Sequence, residues 1–239
     1  MTPRKLAIFV EGQAERLFVQ HLLTEIAPKG ELHIDSRALR GVGHGKQIWC
    51  YRLCESPLFF VLVVDCGNDD RVASEMRAQA SRLASEGYER ILGLRDLYPK
   101  KRQDQERLSR EIARVLPQTP IPCEMVLAVM ELEAWFIAEH THFGRLIPGV
   151  SAEQIRGALN LDPASDDVRD LAHPSKALGQ VYALGGHSYG KHEEEVERTV
   201  KHLDFAAVYT ELRPRLPELD ALLTPLDAFL TRLDAGAAP

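Results

Sequence analysis

Residues 6–23 read LAIFVEGQAERLFVQHLL. Five apolar residues run without a polar break, as in a strand covered on both faces, and Glu11-Gly12 then stops the run. From Gln13 the apolar positions fall at helical spacing, with Phe18, Leu22 and Ile26 on one stripe and Pro28 beyond the end, which predicts a helix over Gln13 to Ile26. A buried strand, a tight glycine turn and an amphipathic helix are the opening half of a βαβ unit.

The same alternation continues outward from that stretch. ELHIDSRAL (31–39) reads as a more exposed strand and RGVGHGKQ (40–47) as a glycine-rich loop. A short helix is expected from about Gln47 to Cys54, which places Cys50 and Cys54 on one face. LFFVLVV (58–64) is the strongest strand, followed by a helix over Arg71 to Ser85 and a strand at RILGL (90–94). Gln105 to Leu116 is read as helix, Pro117, Pro120 and Pro122 carry the chain across, MVLAVM (125–130) is a last strand, and ELEAWFIAEH (131–140) is a helix. Trp135 and Phe136 have the spacing of a core helix, so they are read as buried rather than as a base-stacking platform. From about residue 141 helices separated by proline and glycine dominate, including PSKALGQVY (174–182) and HEEEVERTVKHL (192–203), and DAGAAP (234–239) is read as a disordered tail. The predicted class is α/β: a mostly parallel sheet flanked by helices over 1–140, with a helical C-terminal region over 141–239 packed on that core.

Bulk composition narrows the function classes. The 239 residues carry 29 Lys and Arg against 35 Asp and Glu, a net charge of -6, so no overall basic field attracts nucleic acid or anionic lipid and any such contact needs a local patch. The longest apolar run, Leu58 to Val64, is too short to span a membrane, and the N-terminus turns acidic too early for a signal peptide; the chain is read as cytoplasmic. The four cysteines lack C-x-x-C spacing and are read as small hydrophobes rather than as a disulfide framework. EGQAE lacks the G-x-G-x-x-G of a dinucleotide site, and GVGHGK lacks P-loop spacing, with Gln47 where the metal-binding hydroxyl would stand.

What the strands run into is more telling. LAIFV ends on Glu11, LFFVLVV on Asp65, RILGL passes Arg95 to Asp96, and VLAVM meets Glu131. In a parallel sheet these exits gather along one edge, where open α/β sheets bind ligands. A single acid there can serve as a helix cap, the plain reading for Glu15, Asp70 and Glu133. Glu11 and Asp65 abut buried strands directly, and two carboxylates at one edge repel unless a cation or proton intervenes. Oxygen ligands without a His or Cys cluster favour Mg²⁺ or Mn²⁺. Glu131 and Glu133 fall on different faces of a regular helix, so only Glu131 is expected to reach such an ion.

A Glu-Gly after the first strand (EGQAE) and an Asp after the strongest one (VVDCGNDD) resemble the Toprim domain of topoisomerases, primases, small RNA-maturing nucleases and the overcoming-lysogenization-defect nucleases. The first motif, MELEAW, and the lysine-bearing PSK and SYGK segments are similar to the RloB-like and related small Toprim proteins of bacterial anti-phage loci. The Toprim likeness covers about residues 5–100 and the wider one runs to about 225. It implies metal-dependent phosphodiester chemistry, with Glu11 and Asp65 as metal ligands. The usual D-x-D is broken at Gly67, which either removes the second metal or moves its ligand to Asp69 or Asp70, and Asp96 and Glu131 stand where further ligands would fit on the edge geometry. Two ions roughly 4 Å apart would polarise the phosphoryl oxygen, activate water and steady the leaving oxygen. Lys176 and Lys191 are the cations the resemblance places near phosphate. Lys46, Arg95, His187 and the Lys100–Arg102 run are further candidates from composition, and His44 is a candidate general acid.

The expectation is therefore a Mg²⁺- or Mn²⁺-dependent nuclease acting on DNA or RNA in anti-phage defence, with Glu11, Asp65, Glu15, Lys176 and Lys191 as its catalytic set. Without a P-loop the chain has no energy source of its own, so a separate partner ATPase is considered. The alternatives are a non-catalytic Toprim-like module that binds nucleic acid or protein, and a phosphatase or phosphotransferase on a small substrate. Substrate type, metal number and oligomeric state, a homodimer included, stay open at this level.

Overall fold

The computed structural model describes residues 2–39, 48–116 and 119–231. The glycine-rich loop with His44, Lys46 and Gln47, Pro117, and the DAGAAP tail lie outside the described residues. The protein is α/β, with a six-stranded sheet in the order β3-β2-β4-β1-β5-β6. The strands are β1 (Arg4–Val10), β2 (Leu32–Ala38), β3 (Ile48–Arg52), β4 (Phe59–Asp65), β5 (Tyr88–Asp96) and β6 (Cys123–Ala128). All neighbours pair in parallel except β2 with β3. This mostly parallel, helix-flanked sheet is consistent with a Toprim-like fold.

Among the described residues ten α-helices accompany the strands: α1 (Gln13–Ile26), α2 (Asp69–Ser85), α3 (Gln105–Val115), α4 (Glu133–Ala138), α5 (His142–Leu146), α6 (Ala152–Leu159), α7 (Pro174–Leu184), α8 (Glu193–His202), α9 (Phe205–Ala207) and α10 (Pro217–Leu230). One apolar cluster joins Leu6, Ile8 and Val10 of β1 to α1, α4 and the C-terminal helices. A second joins Ala7 and Phe9, pointing the other way, to α2 and α3. Period-two alternation along β1 thus feeds both faces, which is why its sequence is apolar throughout. Trp135 and Phe136 pack on Phe18, with ring centroids 5.6 and 5.9 Å apart, and are buried as expected.

The predicted helix at Gln47–Cys54 is instead a strand over Ile48–Arg52, antiparallel to β2. Isoleucine, tryptophan and tyrosine favour a pleated surface, and hairpin pairing with β2 offers the backbone a ladder that a five-residue helix lacks. Cys50 and Cys54 are consequently not related by a helix turn. All four cysteines are free thiols. Among the described residues no helix is long and apolar enough to cross a membrane.

The C-terminal helices are tied together by a buried carboxylate. Glu139 is fully buried and accepts hydrogen bonds from the Thr141 hydroxyl, the Arg145 guanidinium (3.2 Å) and the Asp204 amide (3.1 Å). Burial alone would raise its pKa, but the contacts with His142 and Thr141 and the Asp204 amide bring it below the ordinary carboxyl value of 4.5. Glu139→Leu strands those donors and should destabilise the protein by about 2–4 kcal/mol at neutral pH in urea unfolding. Because the folded pKa is depressed, this stabilisation is present above pH 4.5 and lost as pH falls through the lower folded value, so the deficit of the variant should shrink in acid.

Candidate metal centre

Helices α1 and α4 leave the sheet toward one face, and α2 and α3 toward the other. The crevice where such connections part lies at the C-terminal ends of the strands. Register aligns Val10 with Asp65 on one side and Leu94 on the other. The Glu11 amide donates to the Leu94 carbonyl (3.1 Å) and the Cys66 amide to the Val10 carbonyl (2.9 Å), so the carboxylates at the C-terminal ends of β1, β4 and β5 are held along one edge.

A cleft of about 300 Å³ opens there, lined by Glu11, Gly12, Gln13, Glu15, Asp96 and Lys191 among others. Glu11 accepts the Asp96 amide (3.1 Å), and its pKa is raised by burial and by the charge of Asp69. Glu15 accepts the Gly12 amide (3.0 Å), closing the N-terminal turn of α1, and also faces the cleft. Its carboxyl is pushed up to about 8 by burial, then by the neighbouring charges of Glu11 and Glu133. It therefore both closes the first turn of α1 and lines the cleft.

At the far wall, one carboxylate oxygen each from Asp96, Glu131 and Glu133 lies within 4.8 Å of the others, a set that could hold a metal ion. Asp96 accepts the Leu132 amide (2.8 Å), and burial with the charges of Glu15 and Glu133 raises its pKa well above the usual range. Glu131 accepts the amide (2.8 Å) and hydroxyl (3.0 Å) of Ser175 in the first turn of α7. Burial would raise Glu131, but the Ser175 amide and the Lys191 charge bring it below its ordinary value, so it stays ionised. Glu133 is fully buried, with one oxygen on the Tyr189 hydroxyl (2.8 Å).

Lys191 is the cation of this cluster. Its Nζ stands 3.2 Å from Glu131, 3.2 Å from Glu133 and 3.9 Å from Asp96. Burial would lower the Lys191 pKa, yet the charges of Glu133, Asp96 and Glu131 raise it above the ordinary ammonium value. The chain reaches this position through a left-handed Lys191 backbone (φ 61°) whose carbonyl accepts the Gln13 side-chain amide. The ammonium approaches Glu133 without hydrogen-bond alignment, and Oε2 of Glu133 is left buried with no hydrogen-bond partner. One ammonium thus faces the five carboxylates of Glu11, Glu15, Asp96, Glu131 and Glu133. A buried oxygen whose neighbour is an ammonium 3.2 Å away without an aligned hydrogen bond, set among further carboxylate oxygens, suits a hard divalent cation.

Other expected residues are placed differently. The proposed pair of Glu11 and Asp65 is not the clustered set: Asp65 accepts the Gly67 amide (2.9 Å) and lies 3.9 Å from the Arg16 guanidinium. Asp69 is tied to Arg95 at 2.6 Å, and Asp70 is exposed in the first turn of α2, so neither joins Asp96, Glu131 and Glu133. The expectation that Glu133 points away from Glu131 fails. Met130 takes a left-handed conformation (φ 65°) and α4 begins only at Glu133, so the two glutamates are not on a regular helix. Lys176 is exposed in the first turn of α7. Arg102 is paired with Asp167 and Asp170 rather than held over the cleft.

Sequence reasoning also missed Arg16, which is 7% exposed, reaches Glu193 at 2.7 Å as well as Asp65, and carries the Trp49 ring 5.6 Å away. The available signal was its place in the first turn of α1, directly after Glu15. Comparison with protein-family models, curated proteins and solved structures finds no match to this chain.

Proposed function

We propose that the protein is a Mg²⁺- or Mn²⁺-dependent phosphodiesterase acting on nucleic acid, in the manner of the Toprim proteins it resembles. The observation that carries this reading is the convergence of Asp96, Glu131 and Glu133 beside Glu11 and Glu15, with one ammonium among them and a Glu133 oxygen that the ammonium approaches without an aligned hydrogen bond. Asp96, Glu131 and Glu133 would hold the ion, with Glu11 beside them. A bound divalent ion supplies Lewis acidity toward a phosphoryl oxygen and lowers the pKa of water. Ser175 keeps Glu131 oriented and ionised. Glu15, whose carboxyl is pushed up to about 8 by burial and lines the cleft, would serve as the proton donor to a leaving oxygen there. Lys191, and Lys176 at the start of α7, offset phosphate charge in an acidic protein. The anti-phage setting belongs to the same proposal and rests on the resemblance, and a partner ATPase belongs to it because the sequence carries no P-loop motif.

One observation favours a second reading. The Lys191 ammonium already sits among the carboxylates, as it would in a non-catalytic binding module where lysine takes the place of the ion. Cleavage of plasmid, single-stranded DNA and tRNA with Mg²⁺ or Mn²⁺ separates the two. Metal-dependent cleavage that falls roughly a hundredfold or more in Glu11→Gln and Asp96→Asn is expected, since losing one ligand removes several kcal/mol of charge stabilisation. Cleavage equal in the variants would refute the enzyme reading, and absence of millimolar Mn²⁺ binding would leave the binding module.

A further inference from the structure

A second donor set lies at the opposite edge of the sheet, two strands beyond β1. His33 and Asp35 are alternate residues of β2 and share a face, and register pairs Asp35 with Cys50 of β3. A register shift between Ile34 and Asp35 locally re-aims these side chains. The result brings an imidazole nitrogen, a carboxylate oxygen and a thiol sulfur within 4.8 Å of one another. His33 Nε2 is 2.9 Å from Asp35 Oδ1 and 3.9 Å from Cys50 Sγ. A tetrahedral zinc with ligand bonds of about 2.0–2.3 Å sets its ligands roughly 3.2–3.6 Å apart. The observed separations straddle that range, so small side-chain movements suffice.

Two further features prepare the imidazole. Its ring stacks on Phe60, centroids 5.1 Å apart and 9° from parallel, which fixes its plane. Its other nitrogen, Nδ1, lies 3.3 Å from the Cys54 amide nitrogen and 3.4 Å from the Cys54 carbonyl oxygen. Nδ1 can therefore accept from the amide when Nε2 carries the proton, or donate to the carbonyl when Nε2 is free. A metal-ligating histidine needs the second state, with its remote N–H on a carbonyl.

We infer that His33, Asp35 and Cys50 form a site for a borderline-soft divalent cation, Zn²⁺ above all, that clips β3 to β2. Mixed nitrogen, sulfur and oxygen donors select zinc over magnesium, in contrast to the all-carboxylate cluster at the other end of the sheet. Binding expels the Cys50 thiol proton to solvent and leaves the single His33 ring proton on Nδ1, facing the Cys54 carbonyl. Three protein ligands leave the fourth position to water. The clip would also steady Trp49, the neighbour of Cys50, over Arg16.

The metal-free full-length protein titrated with Co²⁺, in the presence of excess Mg²⁺ to fill the carboxylate cluster, gives a direct readout. One equivalent of Co²⁺ should produce a thiolate-to-cobalt charge-transfer absorption, which carboxylates cannot generate, and Zn²⁺ should abolish it. Cys50→Ser, at an exposed position that leaves the fold intact, should lose the band, and His33→Gln should weaken Zn²⁺ binding by roughly 100-fold or more. No band in the wild-type protein, an undiminished band in Cys50→Ser, or unchanged Zn²⁺ affinity in His33→Gln would each overturn the assignment.

Discussion

Replacing Lys191 by methionine should destabilise the metal-free protein by about 2–3 kcal/mol and should make its stability depend on divalent metal. The first effect follows from removing an ammonium 3.2 Å from both Glu131 and Glu133. Breaking a fully buried ion pair costs about 3–5 kcal/mol, and the smaller figure reflects the 39% exposure of the Lys191 side chain. The second effect follows because the carboxylates that lose this cation must then be neutralised by protons or by a metal ion. Asp96 and Glu133 already have raised pKa values, chiefly from burial, and removal of the lysine charge raises them further. An acid whose folded pKa is raised weakens the fold as pH climbs from the unfolded value through the folded one. The Lys191→Met deficit should accordingly grow from pH 5 to pH 8 and be largely restored by millimolar Mg²⁺ or Mn²⁺ in urea unfolding. A deficit independent of pH and metal would mean that Lys191 packs rather than neutralises.

Glu133→Gln should move stability and metal binding in opposite directions. Its fully buried Oε2 meets the Lys191 ammonium at 3.2 Å without an aligned hydrogen bond, and burial outweighs that charge and holds its pKa above the ordinary range, while Glu131 and Asp96 keep the ammonium paired when Glu133 is neutral. An amide removes that charge while its oxygen can keep the Tyr189 hydroxyl, so the metal-free protein should gain about 1 kcal/mol. A neutral amide is a poor ligand for a hard cation, and Mn²⁺ affinity should fall roughly 100-fold or more. Calorimetric titration and urea unfolding on the same preparation read both quantities. Loss of stability with unchanged Mn²⁺ affinity would place Glu133 in the fold rather than in the centre.

The strands of this fold are largely legible from composition, because a sheet covered on both faces demands apolar runs such as LAIFV and LFFVLVV. Their exits mark the functional edge for the same reason: a charge cannot sit inside those runs and appears only where they end. What escapes a one-dimensional reading is local backbone geometry. A left-handed Met130 swings Glu131 and Glu133 to the same side, and no periodicity argument anticipates it. The β3 strand was hidden because a short IWCYR segment satisfies helical and strand spacing equally, and only its pairing with β2 decides. Asp65 shows the converse limit. Its position at the strand exit is as expected, but Arg16, distant from it in sequence, helps balance its charge. Lys191 reaches the cluster from 95 positions after Asp96 in sequence, so only the resemblance, not residue spacing, pointed to it.

The most direct test of the carboxylate centre is a crystal of the full chain grown with Mn²⁺ and measured at a wavelength sensitive to manganese. An anomalous peak within about 2.0–2.4 Å of oxygens from Asp96, Glu131 and Glu133 is the expected result. A map with no peak there at millimolar Mn²⁺, and with the Lys191 ammonium still bridging Glu131 and Glu133, would contradict it.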